Sequence, residues 1–319
     1  MVKHICWLLT LTAASLGQAQ DQWRQLSLAT ITTSPSETAS GYGHPLLCDA
    51  NGNLYLHAER LGVWAVRKLN PKGELLTLYT SDSNPSLQLD AAAQFWARPD
   101  GEVYQIVYPR GVPQRDVFVY KADGTYESKI ELQVKWMFFP AAIAVYPSGN
   151  MLITGESHDP KSPERVPFTG LFSGSGKLLK VLWPEGDEYI ETRSVNWSQM
   201  AAAKDGNIYV MRWNYPATVY AIADGGAVVR KFNIDPGSAG YRPSHMQITG
   251  DRLAVLFFKP HEKDKLVKIV DLEGRELATY DASNNLGAAF ACYTLNPERF
   301  LFLTANDDHK IELRWAAVR

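Results

Sequence analysis

Apolar residues along this chain fall in short runs, and glycine turns break the runs at regular intervals. Leu75-Leu76-Thr77-Leu78-Tyr79, Val117-Phe118-Val119-Tyr120, Ile208-Tyr209-Val210-Met211 and Leu266-Val267-Lys268-Ile269-Val270 are of strand length and rich in β-branched and aromatic residues. No amphipathic helical pattern of comparable strength competes with them. The pattern predicts an all-β chain.

The turns repeat. A turn and a strand recur as Asn51-Gly52-Asn53-Leu54-Tyr55, Asp100-Gly101-Glu102-Val103-Tyr104, Ser148-Gly149-Asn150-Met151-Leu152 and Asp205-Gly206-Asn207-Ile208-Tyr209. Weaker copies stand at Gly250-Asp251-Arg252-Leu253 and Pro297-Glu298-Arg299-Phe300, so that six copies follow one another at intervals of 45 to 57 residues. A second turn follows within most copies, at Lys72-Gly73, Asp123-Gly124, Ser175-Gly176, Gly225-Gly226 and Glu273-Gly274. Asp-Gly and Asn-Gly mark hairpins because glycine accepts the positive φ that tight turns require. Two hairpins per repeat mean four strands per repeat, and four-stranded units repeated radially are the blades of a six-bladed β-propeller.

The sixth copy holds only Phe300-Leu301-Phe302-Leu303-Thr304 and Lys310-Ile311-Glu312-Leu313-Arg314-Trp315 after its turn, so it lacks an outer strand. The stretch Trp23 to Ala29 reads as a strand with no blade of its own. The expectation is that this N-terminal strand completes the last blade and closes the ring.

The pattern of Asp-Gly-Asn, an apolar-Tyr-apolar strand, and a later strand ending in a second Asp-Gly turn is best formed at Asp205 to Val210 with Val219 to Gly225, and at Asp100 to Tyr104 with Tyr120 to Gly124. It resembles the NHL-repeat branch of six-bladed propellers over roughly residues 40–315. The resemblance implies a fold and assigns no function.

At the N-terminus, Lys3 and His4 precede an apolar stretch from Ile5 to Leu16, with Gly17 and Ala19 as small residues before a cut. This is the plan of a secretory signal peptide over residues 1–19, leaving 20–319 as a single propeller domain. The apolar stretch is too short to cross a bilayer as a helix, which takes about 20 residues. Export to the periplasm or the extracellular space is expected. Losing Lys3 takes the formal charge from −2 to −3. Such a near-neutral chain without Lys/Arg runs points away from nucleic acid as a partner. The partner expected is a protein, peptide or glycan, bound by a monomer.

In propeller order, the Asp-Gly turns share one face and the longer loops share the other, where function is expected. Trp197, Arg212, Trp213, Tyr215, Tyr241 and Arg242 fall in or beside those loops, and aromatics with arginine are the composition of binding hot spots. Packing between blades is the competing account of the same residues. The six histidines of the mature chain map to this face too, and the alternative function is a zinc-dependent lyase or hydrolase drawing on His44, His57 and His245. The binding reading needs no cofactor. Calcium-type hydrolysis would need channel carboxylates, and the inner strands offer only Asp49, beside a turn where Asp has a local structural task.

Cys48 and Cys292 fall on the innermost strands of the first and last blades, neighbours in a closed ring. Oxidising surroundings would allow a disulfide. Their different distances from the following turns, and the usual divergence of neighbouring inner strands beyond the roughly 7 Å limit for a bridge, leave two buried thiols as the alternative.

Overall fold

The computed structural model describes residues 26–36, 43–60, 63–80, 89–111, 115–135, 137–158, 165–182, 200–283, 286, 289–305 and 311–318. The stretch 1–19, expected to be a signal peptide, lies outside them. Among the described residues every regular element is a strand.

The chain enters with β1 (Leu26–Ser36) and then lays down six blades. Blade one is β2 (Gly43–Cys48), β3 (Leu54–Arg60), β4 (Val63–Leu69) and β5 (Leu75–Tyr79). Blade two is β6 (Leu89–Ala97), β7 (Val103–Pro109), β8 (Asp116–Tyr120) and β9 (Tyr126–Glu131). Blade three is β10 (Met137–Val145), β11 (Met151–His158), β12 (Arg165–Phe172) and β13 (Leu178–Leu182). Blade four is β14 (Met200–Ala202), β15 (Ile208–Met211), β16 (Ala217–Ile222) and β17 (Val228–Ile234). Blade five is β18 (Arg242–Thr249), β19 (Arg252–Phe258), β20 (Lys265–Asp271) and β21 (Glu276–Asp281). Blade six has only β22 (Ala289–Leu295), β23 (Glu298–Ala305) and β24 (Ile311–Val318) from its own stretch of chain. The innermost strands β2, β6, β10, β14, β18 and β22 touch their neighbours all the way round the axis.

As expected, the N-terminal strand supplies the fourth strand of blade six: β1 pairs antiparallel with β24 from Leu28↔Val318 to Ser36↔Ile311. It reaches seven residues past Ala29, where the sequence pattern ended it, because the partner strand continues to offer unpaired backbone groups that side-chain pattern does not reveal. Its first residues also pair in parallel with β21, Leu26↔Tyr280 and Ser27↔Asp281, joining blades five and six into one eight-stranded sheet.

Nine of the hairpins use one backbone scheme. From Asp49–Asn53 and Asn70–Glu74 to Asp271–Arg275, the glycine N–H donates to the first carbonyl and the first N–H donates to the fifth carbonyl. This is a type I turn closed by a left-handed glycine. The two weaker copies are shorter: Gly250-Asp251 links Thr249 to Arg252, and Asn296-Pro297 links Leu295 to Glu298. At Gly124 and Gly176 the glycine does a second job. A side-chain carbon at Gly124 would collide with the Leu78 carbonyl oxygen of blade one, and one at Gly176 with the Glu131 carbonyl oxygen of blade two. Each turn thus lies flush against the outer strand of the preceding blade.

The core lies between blades. Middle strands such as β8 are buried along their whole length, whereas the outer strand β9 is mostly exposed. Both faces of a middle strand are covered by adjacent blades, so these strands read as continuous apolar runs and not as strict alternation. Apolar clusters join blades one and two, two to four, four and five, five and six, and six and one. Polar ties reinforce the seams: Trp315 Nε1 donates to the Pro71 carbonyl at 3.1 Å, and Tyr79 Oη donates to the Gly101 carbonyl at 3.2 Å. At the seam between blades six and one, Cys48 and Cys292 form a disulfide with Cα atoms 5.4 Å apart. The unequal spacing before the turns is absorbed by the irregular register of both strands near the bridge, between Gly43 and Leu46 and between Phe290 and Cys292.

Three outcomes are expected. Deleting residues 26–36 leaves β24 as an open edge, an aggregation liability; size-exclusion chromatography should show higher-order species, and a monomer of unchanged melting temperature would contradict this closure. The bridge closes a loop of 244 residues, so replacing both cysteines by serine should remove on the order of 5 kcal/mol in the chain-entropy account, read by urea denaturation beside non-reducing intact-mass measurement. His57 is 4% exposed, and burial pushes its imidazole down to about 4. The unfolded chain therefore takes up this proton first as pH falls below about 6.5, and stability drops between there and pH 4. A His57→Gln variant should lack about 2 kcal/mol of the wild-type loss between pH 7 and pH 5, measured as the difference in urea unfolding free energies.

Candidate functional site

On the turn face, acids sit in or beside turns and pair locally: Lys68 with Asp49 at 3.2 Å, Arg98 with Asp100 at 3.1 Å and Glu102 at 3.0 Å, Arg252 with Glu298 at 3.5 Å. Asp49 also accepts from the Asn51 and Asn53 backbone N–H groups, both at 3.0 Å, and from the Asn53 side chain. Its oxygens are committed to the turn.

The long-loop face is built differently at blade four. The link from β15 to β16 is residues 212–216, whose side chains alternate between inside and outside. Arg212 is fully buried, its guanidinium 4.5 Å from the centre of the Tyr220 ring, with Lys231 Nζ 5.1 Å from the same ring. Asn214 accepts from the Thr218 N–H at 3.0 Å and donates through Nδ2 to Thr218 Oγ1 at 3.0 Å, and that hydroxyl donates onward to Asn233 Oδ1 at 3.0 Å. The Arg212 N–H closes the loop on the Thr218 carbonyl at 2.8 Å. Between these anchors Trp213 and Tyr215 are held outward, 41% and 50% exposed.

Beside this loop the chain crosses from blade four to blade five and enters β18 through Tyr241 and Arg242. Tyr241 is half-buried and packs on the cluster that contains Met211, Ala217, Phe257 and Leu266, so it shares a seam with the base of the 212–216 loop. Lys259 Nζ lies 5.1 Å from the Tyr241 ring centre and pairs with Asp264 at 3.1 Å and Glu262 at 3.2 Å. Hydrogen bonds to these two carboxylates hold the Lys259 ammonium above its usual pKa. Arg242 is exposed, and no ion pair holds it among the described residues.

The predicted residues thus separate. Tyr241 packs on the cluster that holds Met211 and Ala217, the residues on either side of the 212–216 loop, while Trp213, Tyr215 and Arg242 are exposed. Arg212, expected at a loop edge on the working face, is instead core: its stem and guanidinium fill the wedge over Tyr220, where an aromatic face offsets part of the cost of burying the cation. Trp197 lies outside the described residues. Asn214 and Thr218 were not singled out by sequence reasoning. Their signal is an Asn four residues before a Thr across a short loop, too common a spacing to stand out.

The histidines are not loop residues as a group. His57 lies in the middle of β3, His158 ends β11, His245 lies within β18, and His261 sits in the 259–264 loop at φ 68°. His245 Nδ1 is bonded to the hydroxyl of its neighbour Ser244. Of His44 only the backbone, in β2, is described, and His309 lies outside the described residues. No group of three or more His, Cys, Asp or Glu side chains with metal-holding geometry occurs among the described residues. Along the axis, Gln247 Nε2 donates to the Leu46 carbonyl at 2.8 Å, linking blade five to blade one past blade six. A cavity with room on the order of one water molecule is lined by Leu47, Trp96, Ile143 and Met200 together with Gln94, whose buried Oε1 has no hydrogen-bond partner among the described residues.

No protein-family model matches the chain, and no curated protein matches it. Among solved structures, the fold is similar to that of a Bacteroides fragilis protein described as a candidate exported protein, with a TM-score of 0.59 at 12% identity over 92% of this chain and 95% of that one. Lower likenesses are to a Bacteroides caccae protein of unknown function, with a TM-score of 0.49 at 13% identity over 76% of this chain and 82% of that one, and to a candidate gluconolactonase, with a TM-score of 0.49 at 13% identity over 92% and 95%. No helix among the described residues is long and apolar enough to cross a membrane. At such identities the likeness speaks for fold alone: the chain is a six-bladed β-propeller, and its resemblance to the NHL-repeat propellers holds at that level.

Proposed function

We propose that this protein is an exported recognition module that binds a peptide, protein or glycan on its long-loop face, over the seam of blades four and five. One observation carries the reading. Trp213 and Tyr215 are about half exposed on a loop that is otherwise pinned by the Asn214–Thr218 pair and by Arg212 buried over Tyr220. Large aromatic side chains stand in water here on a loop whose backbone is tied at both ends. Rigid exposed aromatics bind with little ordering cost, and Trp, Tyr and Arg dominate binding hot spots. Export rests on the plan of residues 1–19, and a disulfide across the ring suits an oxidising compartment.

The test is a screen of the mature protein against peptide and glycan arrays, followed by titration of the best ligand. The Trp213→Ala/Tyr215→Ala variant should lose at least about tenfold in affinity, the scale of a hot-spot deletion, with an unchanged melting temperature. Arg212→Ala should behave oppositely and destabilise the fold by roughly 3 kcal/mol, as loss of a buried partnered cation does. Full retention of binding by the double variant, for every ligand found, would remove the site from this seam.

A further inference from the structure

The innermost strands share an irregularity that the blades repeat around the axis. Their pairing with the second strands skips from Gly43↔His57 to Leu46↔Leu56 in blade one, from Ala92↔Val107 to Phe95↔Gln105 in blade two, and from Pro140↔Gly155 to Ala142↔Thr154 in blade three. Blades five and six do the same, from Pro243↔Phe257 to His245↔Leu256 and from Phe290↔Phe302 to Cys292↔Leu301. Extra residues therefore bulge from these strands at a matching level: Pro45 stands seven residues before Gly52, Gln94 seven before Gly101 and Ala141 eight before Gly149. A bulge breaks the ladder and re-aims a side chain, and bulges gather at sheet edges and beside active sites.

Two of these extra residues, Pro45 and Gln94, line the cavity described above, with Leu47, Trp96, Ile143 and Met200, so the innermost strands of blades one to four all contribute to it. The side chains around it are apolar except for Gln94, which is 8% exposed and whose Oε1 has no hydrogen-bond partner among the described residues. The other glutamine of the axis is engaged internally, through the bond from Gln247 Nε2 to the Leu46 carbonyl. Leaving a buried acceptor unbonded costs about 1–3 kcal/mol. Gln94 thus offers a hydrogen bond that a donor from outside the chain would complete.

We propose that this axial cavity is a binding site for one small neutral hydroxyl donor held by Gln94 Oε1, either a resident water or the O–H of a small alcohol that takes its place. The room is on the order of one water molecule, and a buried water makes about three hydrogen bonds. Each innermost strand is the last of its sheet, so the backbone groups on its axial edge pair with no strand among the described residues and are available for the further bonds. An ammonium group fits the site poorly, because a single carboxamide among apolar side chains does not offset the desolvation of a charge. The site lies on the axis and is independent of the loop that carries Trp213 and Tyr215.

The probes are water, methanol and xenon. A high-resolution crystal structure of the mature protein, grown without alcohols, should show one solvent peak within hydrogen-bond distance of Gln94 Oε1. In solution, methanol should shift the methyl NMR signal of Met200 in a saturable way. Gln94→Leu, which removes the acceptor at similar volume, should lose the solvent peak and weaken the methanol response about tenfold, the scale of one hydrogen bond, without lowering the melting temperature. Gln94→Met serves the same purpose if the leucine variant does not fold. A solvent peak that persists in these variants would overturn the role of Gln94. An empty cavity that takes up xenon would overturn the hydroxyl site, since a dry apolar void behaves in that way. A Gln94-dependent peak without a methanol response would support the site with water as its occupant and overturn the alcohol. None of these outcomes moves with Trp213 or Tyr215, so the binding reading above stands or falls separately.

Discussion

Closure of the ring by backbone pairing between β1 and β24 is the constraint on which the remaining structure depends. A row of blades has two ends, and each end would expose an apolar blade face and an unpaired strand edge. Giving the last blade a strand from the start of the chain turns both ends into one seam. The disulfide between Cys48 and Cys292, the Trp315 bond to the Pro71 carbonyl and the apolar cluster of blades one and six then hold that seam from the axis outward. With the seam closed, every middle strand gains a covered face on each side, and burial of residues such as Phe118, Tyr220 and Phe257 follows.

The same closure explains why glycine turns recur. Adjacent blades approach most closely where a turn of one lies on the outer strand of the other. At Gly124 and Gly176 the absence of a side chain lets backbone meet backbone across the seam. Local turn chemistry and long-range packing therefore demand the same residue at the same place. Consistency of this sort between levels is what allows a divergent sequence to keep a fold. It also explains how a chain with 12% identity to a solved propeller shares its architecture over nearly its whole length.

On the long-loop face, packing uses the same residue types that the proposed binding would use. Propellers fill the wedges between blades with aromatics and cations, and Arg212 over Tyr220 and Arg115 over Tyr108, 4.1 Å from guanidinium carbon to ring centre, are packing of that sort. Trp213 and Tyr215 differ from them only by pointing the other way. The alternation imposed by a short, internally bonded loop separates a core arginine from two exposed aromatics within four positions of the chain.

The sequence by itself determined the strand class, the sixfold repeat, the positions of the turns and the missing outer strand of the last blade. Each of these is a local or periodic property, fixed by glycine at positive φ and by runs of β-branched and aromatic residues. Tertiary structure decided what depends on distance between segments far apart in the chain. Cys48 and Cys292 are bridged because irregular register in two inner strands brings their Cα atoms to 5.4 Å. β1 runs on to Ser36 because β24 supplies backbone partners. Arg212 is buried and Trp213 exposed because one side of their loop meets Tyr220 and the other meets water. Composition names the residues of that loop, but only the packing of one blade on the next fixes which of them face outward.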